Sequence, residues 1–223
     1  RVLWYIYSGL TLVQIAALKL AGLSFFESTC HAPGPLATGG FSTRGASVGA
    51  FSEVVQVIVI LFMVLAGANF GLYQSLFRGQ FREVLKDPEL RVYLFIRAGS
   101  TAAIAFWING TTIQTTTGDA VVAGPAVALR EAAFNVAAIQ TTTGFGTSDF
   151  TLWASPAKLL LVVLMFIGGG AGSTSGGIKV TRVWVATKVL INEAERVFRP
   201  HIVRPVRVGG RALDAQVRSA AVV

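Results

Sequence analysis

Apolar residues run almost unbroken through four stretches of the chain, about residues 2–23, 54–77, 92–108 and 156–168, the last continuing towards residue 188. A helix needs roughly 20 apolar residues to cross the ~30 Å hydrocarbon core of a bilayer, and each run reaches or approaches that length. The pattern therefore predicts four membrane-spanning helices. Between the first and second runs, and again between the third and fourth, lie polar stretches too short to form a domain. Each holds a short semi-apolar segment (Phe25 to Ala32; Ala126 to Ile139) followed by a loop of threonine and glycine. This reads as a half-helix that dips into the membrane and an irregular backbone that returns. Such backbone is tolerated at membrane depth only where protein covers it or it lines a watery path.

The two loops are copies of one motif. Ala37 to Thr43 and Thr141 to Thr147 share the core T-x-G-F-x-T, and their matching glycines, Gly40 and Gly144, lie 104 positions apart. A unit of helix, pore loop and helix thus occurs twice. Residues 1–77 form one membrane repeat, 78–91 a charged connecting loop, 92–190 a second repeat, and 191–223 a basic tail leading to a further repeat. The expected fold is an all-α membrane protein of tandem repeats, two of a set of four.

Composition supports the membrane reading. The 223 residues are 53% hydrophobic and 13% charged, with a mean hydropathy of +0.62, whereas a soluble domain carries about 25% charged residues. The formal net charge is +8, but the basic residues sit in loops and tail, which argues for membrane topology and against nucleic acid. Fifteen of the 19 lysines and arginines fall on one side if the loops 78–91 and the tail beyond Gly177 share it with Arg1 and Arg97. Only Lys19, Arg44, Arg130 and Lys158 fall on the other. By the positive-inside rule the basic side is cytoplasmic and the Thr/Gly loops face outside. One cysteine, Cys30, excludes an intrachain disulfide framework. His31 and His201 are too far apart to suggest a metal pair, and no nucleophile–base pair or paired carboxylates are visible, so an enzyme is not expected.

The loop residues suggest a filter for cations. Glycines at 39, 40, 144 and 146 permit backbone angles barred to other residues, so several carbonyls can replace the water around an ion. The hydroxyls of Thr38, Thr142 and Thr143 add oxygens, and Phe41 and Phe145 complete the motif. No carboxylate lies in either loop, which points to a monovalent ion, since divalent sites recruit Asp or Glu. The half-helix ahead of each loop directs its negative dipole end at the site. Pro125 suits the first turn of the second half-helix, with Glu131 near its start. Pro33-Gly34-Pro35 predicts that the first half-helix ends early or kinks. Asn69, in the middle of the second span, reads first as an interhelical hydrogen-bonding group. Lys19 and Lys158 read as snorkelling, and Glu27 and Asp149 as solvated charges near the mouth.

The run Gly168 to Lys179 is the third motif. It holds Gly168, Gly169, Gly170, Gly172, Ser173, Thr174, Ser175, Gly176, Gly177 and Lys179. It is a loose match to a phosphate-binding loop, but Ile178 separates Gly177 from Lys179 and the preceding segment is a membrane helix, not a strand. Six glycines in ten residues must break a helix, and the freed backbone should line a cavity.

Together these strings resemble the Trk/Ktr/HKT superfamily of potassium transporters, most of all its bacterial TrkH-like subunits. The residues that carry the resemblance are Thr38 to Thr43 with Ala46 to Gly49, Lys86 to Glu89, Thr142 to Phe145, and above all Phe166 to Lys179. Arg199-Pro200-His201 and Val208 to Leu213 look like the linker ahead of the family's last repeat, so the two units would be the second and third of four. The resemblance implies K⁺ as the transported ion, passing Thr38, Gly39, Thr142 and Thr143, no cofactor in this chain, and a gate formed by Gly168–Gly177. It also implies a bacterial inner-membrane location among lipid, a homodimer of full-length subunits, and a cytoplasmic nucleotide-binding regulator of the TrkA/KtrA kind. Alternatives are a sodium- and potassium-permeable member of the same superfamily, or a membrane scaffold that recruits a partner through its basic tail.

Overall fold

The computed structural model describes residues 2–198 together with 207–208 and 211–212. Helix α1 (Val2–Leu20) ends where Gly22 takes a positive φ of 99° and the Leu23 amide returns to the Leu18 carbonyl, a glycine-terminated helix end. Ser24 then caps α2 (Phe25–His31) by accepting from the Glu27 amide at 3.1 Å. Helix α3 (Pro33–Leu36) follows after a single residue. The half-helix is interrupted before Pro33, as the prolines predict: α2 stops at His31, while Ala32 keeps helical angles and Pro33 starts α3, where no amide is needed. The Ala37 amide bonds to the Pro33 carbonyl at 2.7 Å, so helical turns reach the first Thr/Gly loop.

The second apolar run is not one helix. It divides into α4 (Glu53–Gly67) and α5 (Phe70–Phe77), which meet at 94°. Gly67 and Asn69 are the reason. Asn69 caps α5 by accepting from the Gly71 amide at 2.9 Å, while the carbonyls of Ala66 and Gly67 are given to the glycine-rich loop. A short α6 (Phe81–Lys86) leads to α7 (Pro88–Ile108), capped by Asp87, which accepts from the Leu90 amide at 2.7 Å.

After α7 comes a hairpin that apolar periodicity did not predict, β1 (Thr112–Gln114) against β2 (Ala120–Val122). The second half-helix is α8 (Pro125–Gln140), with Pro125 in its first turn as expected. Glu131 lies in its interior, 2% exposed, and not near its start. Helix α9 (Ser155–Phe166) has 12 residues, about 18 Å, too short to span the hydrocarbon core. Its expected continuation is a separate helix, α10 (Val180–Phe198), which carries polar and charged residues along its length and runs past residue 190. Strands β3 (Arg207–Val208) and β4 (Arg211–Ala212) pair beyond it. Arg199, Pro200, His201, Gly209, Gly210 and Leu213 lie outside the described residues.

Among the described residues α1 alone is long and apolar enough to cross a bilayer unaided, with α4 and α5 a second candidate if the bent pair is one span. Arg97 is also no loop charge. It lies nine residues into α7, is 7% exposed, and packs over the Tyr93 ring at 4.9 Å.

Of the apolar clusters among the described residues, one joins the two halves and another knits the second half around α8. Leu18, Val55, Val59, Met63, Phe134 and Phe145 form one, joining α1, α4 and α8. Ile104, Ile108, Ile113, Trp153, Leu161 and Leu164 form the other, joining α7, α9 and the β1–β2 hairpin. Because α8 contributes to both, the second half-helix is the central post of the fold. Large apolar side chains such as Trp4, Phe95 and Phe106 remain exposed on the outside, as expected of a surface that meets lipid.

Candidate ion-conducting site

The two Thr/Gly loops adopt the same local turn. Thr38 and Gly40 have φ of 52° and 63°; Thr142 and Gly144 have φ of 58° and 78°. Left-handed backbone at a threonine costs roughly 1–3 kcal/mol, and it recurs here at matching positions. In both loops two residues of positive φ flank one that is not. Among the described residues the carbonyls of Thr38, Gly39, Gly40 and Phe41, and of Thr142, Thr143 and Gly144, accept no hydrogen bond. Buried carbonyls are normally paired, and Thr143 is 2% exposed.

The loops also touch one another. A Cβ placed on Gly40 would lie 1.9 Å from the Thr143 carbonyl oxygen, so only glycine permits this approach. Gly34 makes similar room a turn earlier, where a Cβ would meet the Phe145 ring at 2.4 Å. The segments that follow each loop interlock as well. The Gly49 amide donates to the Gly146 carbonyl at 3.1 Å, the Gly146 amide to Ser47 Oγ at 3.2 Å, and Thr116 Oγ1 to the Ala46 carbonyl at 2.6 Å.

The threonine hydroxyls are committed to the protein in this conformation. Thr38 Oγ1 shares its proton between the carbonyls of Ala37 (2.7 Å) and Thr174 (3.1 Å). Thr142 Oγ1 donates to the Thr141 carbonyl at 2.6 Å and accepts from the Gly176 amide at 2.8 Å. Thr143 Oγ1 lies 2.7 Å from Thr141 Oγ1, which itself donates to the Ala137 carbonyl. Unbonded oxygens at the site are therefore backbone oxygens.

Those same bonds fasten the glycine-rich segment to both loops, through Thr174 on one and Gly176 on the other. The segment is a closed loop. The Gly168 amide donates to the Ile178 carbonyl at 2.9 Å, and the Ile178 amide to the Phe166 carbonyl at 3.0 Å. A Cβ on Gly168 would fall 2.0 Å from the Gly176 carbonyl oxygen. Lys179 closes the loop from below, its Nζ donating to the Ser175 carbonyl and, at 3.4 Å, to that of Ser173. The Gly170 amide reaches the Gly67 carbonyl at 2.8 Å, so the bend between α4 and α5 is the shelf on which the segment rests.

Glu89 is the anchor that sequence reasoning did not single out. It is 8% exposed, receives the Ala171 amide, accepts from Thr181 Oγ1 at 2.6 Å, and accepts from Asn69 Nδ2 at 3.2 Å. One carboxylate thus joins the α4–α5 bend, the glycine-rich loop and the start of α10. Asn69 makes the interhelical bond expected of it. The only signal for Glu89 in the chain was its place in Lys86-Asp87-Pro88-Glu89, where Asp87 and Pro88 already account for a helix start. Beside the first loop, Arg44 hydrogen-bonds the Glu27 carboxyl and holds it below the usual carboxylate range. Hydrogen bonds from Thr151 do the same for Asp149. No cluster of three His, Cys, Asp or Glu that could hold a metal occurs among the described residues.

A family model described as the cation transport protein TrkH matches residues 1–221. The chain belongs to this family. It is similar to the Trk system potassium uptake protein TrkH of Escherichia coli K12, at 33% identity over 224 residues. Its likeness to TrkH of Vibrio parahaemolyticus is 35% over 221 residues. Those alignments cover 99% and 97% of this chain and 44% of either relative, so the chain spans under half their length. The crystal structure of the potassium transporter TrkH from Vibrio parahaemolyticus superposes with a TM-score of 0.86 at 34% identity, over 98% of this chain and 46% of that one. An all-α membrane protein built from pore-loop repeats, with the two short hairpins as additions, is therefore established.

Proposed function

We propose that this chain supplies two of four pore-loop repeats of a potassium transporter, and that Thr38–Phe41 and Thr142–Phe145 form half of its selectivity filter. The observation that carries this reading is the pair of matching left-handed turns whose carbonyls accept no hydrogen bond from the described residues. A carbonyl without a donor is an oxygen ligand available to a cation. In this reading Gly168–Gly177 is the gate, held under the filter by Thr38, Thr142 and Glu89 and closed by Lys179. The Thr/Gly loops face outside and the basic loops face the cytoplasm of a bacterium, in its inner membrane. The full-length protein is a homodimer whose gate is moved by a nucleotide-binding cytoplasmic regulator.

Expression of the whole transporter in cells that lack potassium uptake tests this. Growth at low K⁺ should be restored, with Rb⁺ influx favoured over Na⁺. Shortening Gly169–Gly176 should raise the basal flux. A transporter that restores no growth, or a shortened variant that remains closed, would overturn the respective assignment.

A further inference from the structure

His31 has no place in the reading above, yet it is 1% exposed and both ring nitrogens are engaged. We propose that His31 is a positioning residue that sets the selectivity of the filter by holding the first loop through Ser42. This rests on the filter reading given under the proposed function.

The hydrogen bonds run in one direction. Nδ1 lies 2.8 Å from the Glu27 carbonyl oxygen, which can only accept, so Nδ1 carries the proton. In the neutral ring Nε2 is then an acceptor, and it lies 2.8 Å from Ser42 Oγ, which donates to it. Ser42 Oγ in turn accepts the Arg44 amide at 3.1 Å. The hydroxyl is thereby oriented from both sides, and Ser42 directly follows Phe41 of the filter. This chain, from the Arg44 amide through Ser42 and the imidazole to α2, fixes the downstream end of the first loop to its own half-helix.

The ring also reaches the second repeat. It meets the Phe51 ring edge-on, with centroids 4.9 Å apart, and stacks at 28° on Phe145, 6.3 Å away. Phe145 directly follows Gly144 and fills the space that Gly34 leaves open. One imidazole therefore contacts Ser42, which follows the first filter segment, by hydrogen bond, and Phe145 of the second by packing. A tilt of the ring would move Ser42 relative to Phe145 and alter the spacing between the carbonyls of the two loops.

Two variants separate hydrogen bonding from packing in the whole transporter. His31→Phe keeps an aromatic ring against Phe51 and Phe145 but strands the Ser42 hydroxyl. His31→Gln replaces Nε2 by an amide oxygen that accepts from Ser42 and removes the ring. The K⁺ over Na⁺ preference in flux should fall about tenfold in His31→Phe, as expected for the loss of one buried hydrogen bond, and return to within about twofold of the wild type in His31→Gln. Ser42→Ala should reproduce the His31→Phe loss. The double variant should be no worse than either single one, because both cut the same link. Ser42→Ala carries the test if His31→Phe fails to fold. Retained preference in both His31→Phe and Ser42→Ala, or a loss confined to His31→Gln, overturns the proposal. A wild-type transporter with no preference for K⁺ overturns the filter reading as well.

Discussion

Gly40 and Gly144 stand at the same position of two loops with the same turn, but what surrounds them differs. A Cβ at Gly40 would strike the Thr143 carbonyl, whereas nothing lies within 4 Å of one at Gly144. The aromatic residues that follow differ in the opposite sense. Phe145 is 3% exposed, wedged against Gly34 and His31, while Phe41 is 84% exposed. The second loop lends its carbonyl and its ring to the first, and the first gives neither back. Equal sequence has been put to unequal use because the first loop packs against the Thr143 carbonyl and the Phe145 ring, while Gly144 and Phe41 face open space.

The comparison can be broken most severely at Gly40. Gly40→Ala combines left-handed strain with a backbone clash, and it should abolish both a folded peak in size-exclusion chromatography and growth at low K⁺. Next come the phenylalanines. Phe145→Ala should lower the unfolding free energy of this chain by about 3–5 kcal/mol, while Phe41→Ala should change it by less than about 0.5 kcal/mol; similar losses would refute the asymmetry. Glu89→Gln tests the shelf that both loops share. Weakening charge-assisted bonds to Ala171, Thr181 and Asn69 should cost about 1–3 kcal/mol and raise basal flux. Gly144→Ala should cost only the strain of a left-handed alanine, about 1–2 kcal/mol, and leave the protein folded with a modest loss of selectivity.

The smallest effect is expected at Glu27, beside the first loop. Arg44 holds the Glu27 carboxyl below its usual range, so folding favours the ionised form. The stability this contributes is present at neutral pH and is lost as pH falls through the depressed folded-state value. Glu27→Gln should therefore match the wild type in acid and differ slightly from it at pH 7, as read by thermal unfolding; a difference that grows on acidification would reverse the sign.

Much of this was legible in the chain. The T-x-G-F-x-T repeat located both loops, and the glycine density of 168–177 located a broken helix, because backbone freedom is written directly in residue type. Pro125 and Asp87-Pro88 marked helix starts for the same reason. Continuity was the property that residue type did not reveal. The run 54–77 is mostly apolar, yet it bends at Ala68 because the Ala66 and Gly67 carbonyls bond the glycine-rich loop a hundred residues later. Pro33-Gly34-Pro35 marked the break between α2 and α3, but not that a helical turn resumes after the single residue Ala32. The β1–β2 hairpin escaped notice because strands of three residues leave no periodicity to read.

By itself the sequence determined the repeat, the apolar elements, the exclusion of carboxylates from both loops and the family. Those properties depend on residue type and short-range spacing, which a single chain displays in full. Only the tertiary structure decided that Gly40 admits the Thr143 carbonyl, that Glu89 and Asn69 carry the glycine-rich loop, and that His31 spans both loops. Each of these pairs residues that are distant in the chain, and whether a buried polar group finds its partner is settled by packing and not by local propensity.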